Sequence, residues 1–358
     1  MPLPPRTASD RVGIRVMARI TPVERSQLFA FSSIVIALHV VGWGMAAMAA
    51  REYPFLMGLA VLAYTFGLRH AFDADHIAAI DTTTRKLMEP GRRPFGVGFY
   101  FALGHSTVVF LMTLVIALTA RSIAAEMPVL RTVGSLVGTT ISGVFLYAMG
   151  ILNLIVLLDV YRVFRSMRRG RYDAAALEAA LLKRGFMTRW LGRLFDLVST
   201  PRQMYWVGLL FGLGFDTATE VALLTTAGVA ASQALPLAAV LSLPIIFAAG
   251  MSLLDSADGA LMCGAYGWAF TNPLRKIFYN LTITGLSVVV ALVIGTIQIV
   301  TIVTDRILGV HTGIWGVIQD LDFQTMGLLM AGLFVGSWLT SLAVWHFARL
   351  DERLTPSE

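Results

Sequence analysis

The sequence predicts an all-α, polytopic integral membrane protein of about eight transmembrane helices, six of them forming a 3+3 inverted repeat. Three observations lead there. Of 358 residues, 56% are hydrophobic and 14% charged, against about 45–50% and about 25% in an average soluble domain. Apolar runs near the length of a bilayer span, about 20 residues, recur along the chain. Lysine and arginine collect in alternate connections between those runs. This pattern excludes a disordered chain, a coiled coil and an ordinary cytosolic enzyme. A single cysteine, Cys263, excludes an intrachain disulfide and a cysteine-rich metal site.

The predicted spans are 27–49, 55–81, 96–120, 134–161, 204–230, 234–257, 277–303 and 326–348. Long apolar runs without alternation favour helices over a barrel, because lipid offers no partner to an unpaired backbone group. The first run follows Arg6, Arg11, Arg15, Arg19 and Arg25. It is too long for a signal core and is read as an uncleaved first helix. Segment 162–203 is the one long polar connection; its Arg162, Arg165, Arg168, Arg169 and Arg171 precede Leu177, Leu181, Trp190, Leu194 and Leu197. That is the pattern of a basic interfacial loop on anionic lipid. The chain thus divides into 1–161 with helices 1–4, a cytoplasmic loop 162–203, and 204–358 with helices 5–8.

With the N-terminus in the cytoplasm, 23 of the 28 basic residues fall in inner segments; Arg51, Arg121, Arg131 and Arg306 are outside and Arg69 is within a span. This asymmetry places both termini inside. The net charge of +6 is therefore loop charge facing lipid, and nucleic acid is not an expected partner.

Six acids lie in or near the spans: Asp73, Asp75, Asp216, Glu220, Asp255 and Asp258. At the insertion cost of a charge in a helix centre they would together cost on the order of 15–20 kcal/mol. Arg69 is the only basic residue within a span to offset them, so a cation from outside is the expected partner. On a helix turning about 100° per residue, His70, Asp73 and His76 share an arc of about 120°. Asp75 points nearly opposite, which leaves two readings: it supports a ligand from another helix, or the helix breaks near Gly67. Asp216 and Glu220 share a face, as do Asp255 and Asp258. Imidazole with carboxylate, and no thiolate, suits a first-row divalent metal such as Ni, Co, Zn, Cu or Fe. His105, following Gly104 in span 3, joins this set. His39, His311 and His346 stand alone and are read as packing or interfacial residues.

Spans 2 and 5 echo each other. Phe66-Gly67-Leu68 and Phe72-Asp73-Ala74-Asp75 have counterparts in Phe211-Gly212-Leu213 and Phe215-Asp216-Thr217-Ala218-Thr219-Glu220. An offset of three helices reverses the orientation of the second unit, the plan of many secondary transporters. Helices 7 and 8 fall outside it.

At these residues the sequence resembles the nickel/cobalt transporter family, single-component permeases of bacteria and some fungi. The motifs that carry the resemblance are Arg69-His70-Ala71-Phe72-Asp73-Ala74-Asp75-His76-Ile77, Leu103-Gly104-His105-Ser106-Thr107, Leu213-Gly214-Phe215-Asp216-Thr217-Ala218-Thr219-Glu220 and Gly250-Met251 followed by Asp255. The resemblance implies eight helices, uptake of Ni²⁺ or Co²⁺ across the cytoplasmic membrane, and metal recognition by His70, Asp73, Asp75 and His76. His105 and the acids Asp216, Glu220 and Asp255 would assist. Thr82 and Ser256 depart from the family's usual Asn and Thr, and Phe72 stands where the family varies, beside two of these residues.

The working expectation is a secondary carrier. His70, Asp73 and His76 capture the metal, Asp75 orients a histidine, His105 completes the site, and Asp216, Glu220 and Asp255 lead onward. The metal is cargo, and no resident cofactor is expected. The chain has no Gly-x4-Gly-Lys phosphate loop, so it is not expected to hydrolyse ATP. The competing readings are a transition-metal exporter, an intramembrane metalloenzyme and a proton-coupled carrier of an organic solute. Loop 162–203 contains no histidine, which weighs against the exporter.

Overall fold

The computed structural model describes residues 20–88, 93–119, 127–167, 198–213, 218–232, 235–269, 273–319, 321 and 323–347. Among these there is no strand. The helices are α1 (Pro22–Ala49), α2 (Leu56–His70), α3 (Ala74–Leu87), α4 (Val97–Thr119), α5 (Met127–Met167), α6 (Met204–Gly212), α7 (Ala218–Ser232), α8 (Leu237–Ala269), α9 (Pro273–Thr301), α10 (Ile314–Gln319) and α11 (Phe323–Phe347). Grouped as α1, α2–α3, α4, α5, α6–α7, α8, α9 and α11, they overlie the eight predicted spans in order. Pro22–Ala49, Val97–Leu118, Leu237–Tyr266 and Gly285–Asp305 are each long and apolar enough to cross a membrane, and Thr139–Ile155 and Thr325–Ser337 are shorter apolar helices. The chain is a multi-pass membrane protein.

Several boundaries differ from the sequence reading, the end of α3 at Leu87 and the start of α5 at Met127 among them. Helix α1 starts at Pro22 because Thr21 and Glu24 form a reciprocal cap: Thr21 N–H donates to Glu24 Oε2 at 2.7 Å and Glu24 N–H to Thr21 Oγ1 at 3.2 Å. Helix α5 runs on to Met167, so the first residues assigned to loop 162–203 are helical; most of that loop lies outside the described residues. Helix α8 continues through the Asp255–Gly259 cluster to Ala269 rather than ending near 257. The acids lower the hydropathy there without breaking the helix, because Asp255 is turned into the protein and fully buried.

One span is interrupted within the described residues. Helix α2 ends at His70, and α3 restarts at Ala74 with Asp73 as an extended N-cap. The Asp73 side chain makes no capping hydrogen bond; it turns toward His70 instead. Helices α6 and α7 are separated by 213–217, most of which, Asp216 included, lies outside the described residues. A half-helix terminus at membrane depth leaves backbone donors and acceptors free to face a ligand, and it is tolerated only where protein or a cavity surrounds it.

Backbone crossings hold the broken helices in place. Helix α2 packs on α8, and α6 packs on α4. At the first crossing a methyl group on Gly67 would strike the Phe247 carbonyl, and one on Gly250 would lie 2.9 Å from the Tyr64 carbonyl. At the second, a methyl group on Gly208 would strike the Phe101 carbonyl, and one on Gly104 the Tyr205 carbonyl. Each crossing sets Tyr-x-x-Gly against Phe-x-x-Gly. This equivalence relates helices 2 and 3 to helices 5 and 6, as a repeated three-helix unit would. It pairs Gly67 with Gly208, however, one helical turn from the Gly212 that the Phe-Gly-Leu echo suggested.

Two apolar clusters fill the interior. One includes Ile77, Ile80, Phe101, Leu146, Phe211 and Tyr266; the other includes Ala63, Val109, Leu223, Leu243 and Phe247. Glycine at a crossing permits the close backbone approach that holds membrane helices together. Gly67→Val and Gly208→Val should each lower stability by at least about 1–3 kcal/mol, the usual cost of overpacking. Thermal unfolding of detergent-purified protein measures this. Gly264→Ala, with nothing within 4 Å of the added carbon, should leave the midpoint near that of the parent.

Candidate metal centre

The helix break turns the end of α2 and the start of α3 into the same space. His70 is the last residue of α2; Asp75 and His76 lie in the first turn of α3. His105 enters from α4, Glu220 from α7 and Asp255 from α8. All six, with Asp73, are buried, none more than 8% exposed. The site lies on the seam between the two apolar clusters: the His76 ring is 4.7 Å from the Phe101 ring, and the His70 ring 5.6 Å from that of Phe247.

Three imidazoles converge. His70, His76 and His105 each offer a ring nitrogen, and these nitrogens lie within 4.8 Å of one another. His70 Nε2 is 2.9 Å from His105 Nε2, and His105 Nε2 is 2.7 Å from Glu220 Oε1. His105 Nε2 carries either one proton or one lone pair, so it cannot donate to Glu220 and accept from His70 at once. A cation between them satisfies all three acceptors. Metal–ligand bonds of about 2.0–2.1 Å meeting at right angles would separate two donors by about 2.9 Å.

The carboxylates divide into two kinds. Asp73 Oδ2 is 2.7 Å from His70 Nδ1, on the ring edge opposite the histidine cluster and off the line of the N–H. A carboxylate behind a ligating imidazole fixes the ring and raises its basicity. Asp75 Oδ1 accepts from its neighbour's backbone, His76 N–H, at 3.0 Å, and Oδ2 faces Ser142 Oγ at 3.2 Å and Gln298 Nε2 at 3.4 Å. Asp75 therefore anchors the start of α3 to α5 and α9. Glu220 and Asp255, by contrast, face imidazoles directly; Asp255 Oδ2 is 3.4 Å from His76 Nδ1 without hydrogen-bond alignment.

The structure thus brings together seven of the eight residues singled out in the sequence; the eighth, Asp216, lies outside the described residues. It separates their roles differently from the helical-wheel reading, because the break removes the wheel. Asp73 lies behind a ring rather than beside the cluster, and Arg69, the basic residue read as lying within the span beside the acids, is exposed on α2. Ser142 and Gln298 were not foreseen. Both are polar residues buried in apolar helices, and a search widened from ionisable to neutral polar side chains would have found them. Of the solitary histidines, His39 matches its packing assignment. Its Nδ1 pairs with the Val35 carbonyl at 2.8 Å and its Nε2 with Tyr64 Oη at 3.2 Å.

Comparison with known proteins bears on the same residues. The model of a family described as NicO, high-affinity nickel-transport protein, matches residues 56–344. The chain is 48% identical over 349 residues to the nickel transporter NicT of Mycobacterium tuberculosis, covering 94% of each chain. It is 45% identical over 330 residues to the nickel transporter NixA of Staphylococcus aureus, covering 92% of this chain and 97% of the relative. To the cobalt transport protein NhlF of Rhodococcus rhodochrous it is 41% identical over 332 residues, covering 91% and 94%. No solved structure matches it.

The division of the carboxylates has a measurable consequence. Asp73→Asn keeps the shape behind His70 but removes its charge, and should weaken metal binding about 10–100-fold, as loss of a ligand-orienting group does. His105→Ala removes a candidate ligand and should cost more. Equilibrium dialysis of the purified chain against ⁶³Ni²⁺ ranks the two, and equal losses would place Asp73 among the ligands.

Proposed function

The chain belongs to the NicO family of nickel-transport proteins, and on that premise we propose that it is a secondary carrier taking up Ni²⁺, and also Co²⁺, across the cytoplasmic membrane. The observation that carries the proposal is the enclosed His70–His105–Glu220 group, in which one nitrogen of His105, with a single proton or a single lone pair, lies within hydrogen-bond distance of both a second imidazole nitrogen and a carboxylate oxygen. His70, His76 and His105 hold the ion with Glu220 and Asp255; Asp73 and Asp75 keep the imidazoles in place. Asp216 belongs to the same path. The orientation follows from the basic residues: both termini in the cytoplasm, with segment 162–203 inside. The chain acts as a carrier and catalyses no covalent step.

Imidazole and carboxylate ligands suit transport because they recognise a borderline metal without the grip of a thiolate. The membrane potential supplies about 2.3 kcal/mol per charge per 100 mV, so about 4.6 kcal/mol for a divalent ion. At about 1.4 kcal/mol per tenfold, that sustains a gradient of about three orders of magnitude.

Uptake of ⁶³Ni and ⁵⁷Co into cells lacking their own nickel and cobalt systems tests this. Accumulation should rise with expression, fall when an uncoupler collapses the potential, and drop at least tenfold in His70→Ala and in Asp73→Asn. Uptake undiminished in both variants would remove the proposed site. Depletion of cell metal on expression would mean export. Stoichiometric binding without movement would mean a resident metal.

A further inference from the structure

A second group of buried carboxylates lies beyond the histidines, along α3 and α8 toward Arg85 and Lys86. Asp81 is fully buried. Its Oδ1 accepts from Tyr266 Oη at 2.7 Å, and its Oδ2 has no hydrogen bond. Asp255 is fully buried, and neither of its oxygens has one. The Oδ2 of Asp258 is buried and equally unpaired. Asp258 is within electrostatic reach of both Asp81 and Asp255. The two helices touch here: a methyl group on Gly259 would lie 3.6 Å from Ile80 Cγ2, and those residues adjoin Asp258 and Asp81. The hydroxyls of Ser252 and Ser256 on α8 are also buried without a hydrogen bond.

A purely structural account covers only part of this. Tyr266 also reaches Ser287 on α9 at 3.4 Å, and Asp81 is met by the Ser287 hydroxyl and by the charge of Arg85 as well. These contacts bolt α3 to α8 and α9. They leave Asp81 Oδ2, Asp258 Oδ2 and both oxygens of Asp255 buried without a hydrogen bond, which is costly for a carboxylate.

We propose that Asp81, Asp255 and Asp258, with the hydroxyls of Ser252 and Ser256, form a second divalent-cation site, built of oxygen ligands alone and displaced from the histidines toward Arg85. Asp255 faces His76 on one side and Asp258 on the other, so it is the shared ligand through which an ion passes from one group to the next. From His76 to Asp81 the rise along α3 is about 7.5 Å, a single short step. Oxygen-only ligands hold nickel and cobalt more loosely than imidazoles do, which suits the site from which the ion departs. The direction of travel rests on the uptake reading; the existence of the site does not.

Binding isotherms of ⁶³Ni²⁺ to the full chain in lipid nanodiscs test the proposal. The parent should show two classes of site, the weaker by at least tenfold. Asp258→Asn and Asp81→Asn should each lose the weaker class and keep the tighter, which also reports that the variant is folded. His105→Ala should lose the tighter class and keep the weaker. A single class in the parent, or both classes surviving in both acid variants, overturns the site. So does loss of both classes in a monodisperse acid variant, since the acids would then belong to the histidine cluster. Transport in vesicles separates this from the uptake reading: two-class binding without transport rejects uptake alone, whereas one-class binding with undiminished transport in Asp258→Asn rejects the second site alone.

Discussion

The fold depends on a crowded polar group at its centre, where carboxylates and imidazoles from five helices are buried together. Glu220 and His70 converge on one nitrogen of His105. Neither oxygen of Asp255 has a hydrogen bond. Burying charged groups this close together in a low-dielectric interior costs several kcal/mol each unless they are paired. The cost is borne because the rest of the protein is built to hold them. Apolar clusters on either side exclude water, and glycine crossings fix the backbones that carry the ligands. A divalent ion converts the same arrangement from a burden into a fit, and that difference in energy is what makes the interior specific for a cation.

The break between α2 and α3 is the structural device that assembles this centre. A continuous helix would set His70, Asp73 and His76 on one face and send Asp75 to the other. The extended Asp73 instead redirects the chain, so that His70 and His76 face each other with ring centroids 4.5 Å apart. Asp75 then falls in the first turn of α3, where it accepts from a free N-terminal N–H and is gripped by Ser142 and Gln298. Broken helices at this depth belong to transporters in general. Here the break arises from a locally chosen sequence: short Ala71-Phe72-Asp73 linking two helices whose facing ends are polar.

Much of this was legible in the sequence because intramembrane charge is rare and therefore informative. The spans followed from hydropathy and the loop charges, and the seven described ligand candidates followed from being ionisable where ionisable residues are expensive. The residues that escaped did so for a physical reason. Ser142, Gln298 and Tyr266 are neutral at ordinary pH, so they fell outside a search confined to charged and imidazole side chains. The extent of α8 was missed because hydropathy averages over a helix, and a buried acidic stripe looks like an end. The repeat was visible, but its register was not. Phe-Gly-Leu recurs, yet it is Gly208 rather than Gly212 that meets the facing backbone as Gly67 does, since register is set by which glycine lies at the crossing point.

The ordering of ligand types along the path gives the arrangement its direction. Selectivity demands nitrogen donors, which separate nickel and cobalt from the far more abundant magnesium and calcium. Release demands the opposite, a place where the ion is held no more tightly than water holds it. One site cannot meet both demands equally well, but two adjoining sites sharing Asp255 can. In the proposed arrangement the histidines choose the ion, and the oxygens of α3 and α8 weaken its hold before it leaves. The Asp81–Tyr266 hydrogen bond lies at the far end of that path, so the inner helices remain bolted together while the ion is still among the histidines.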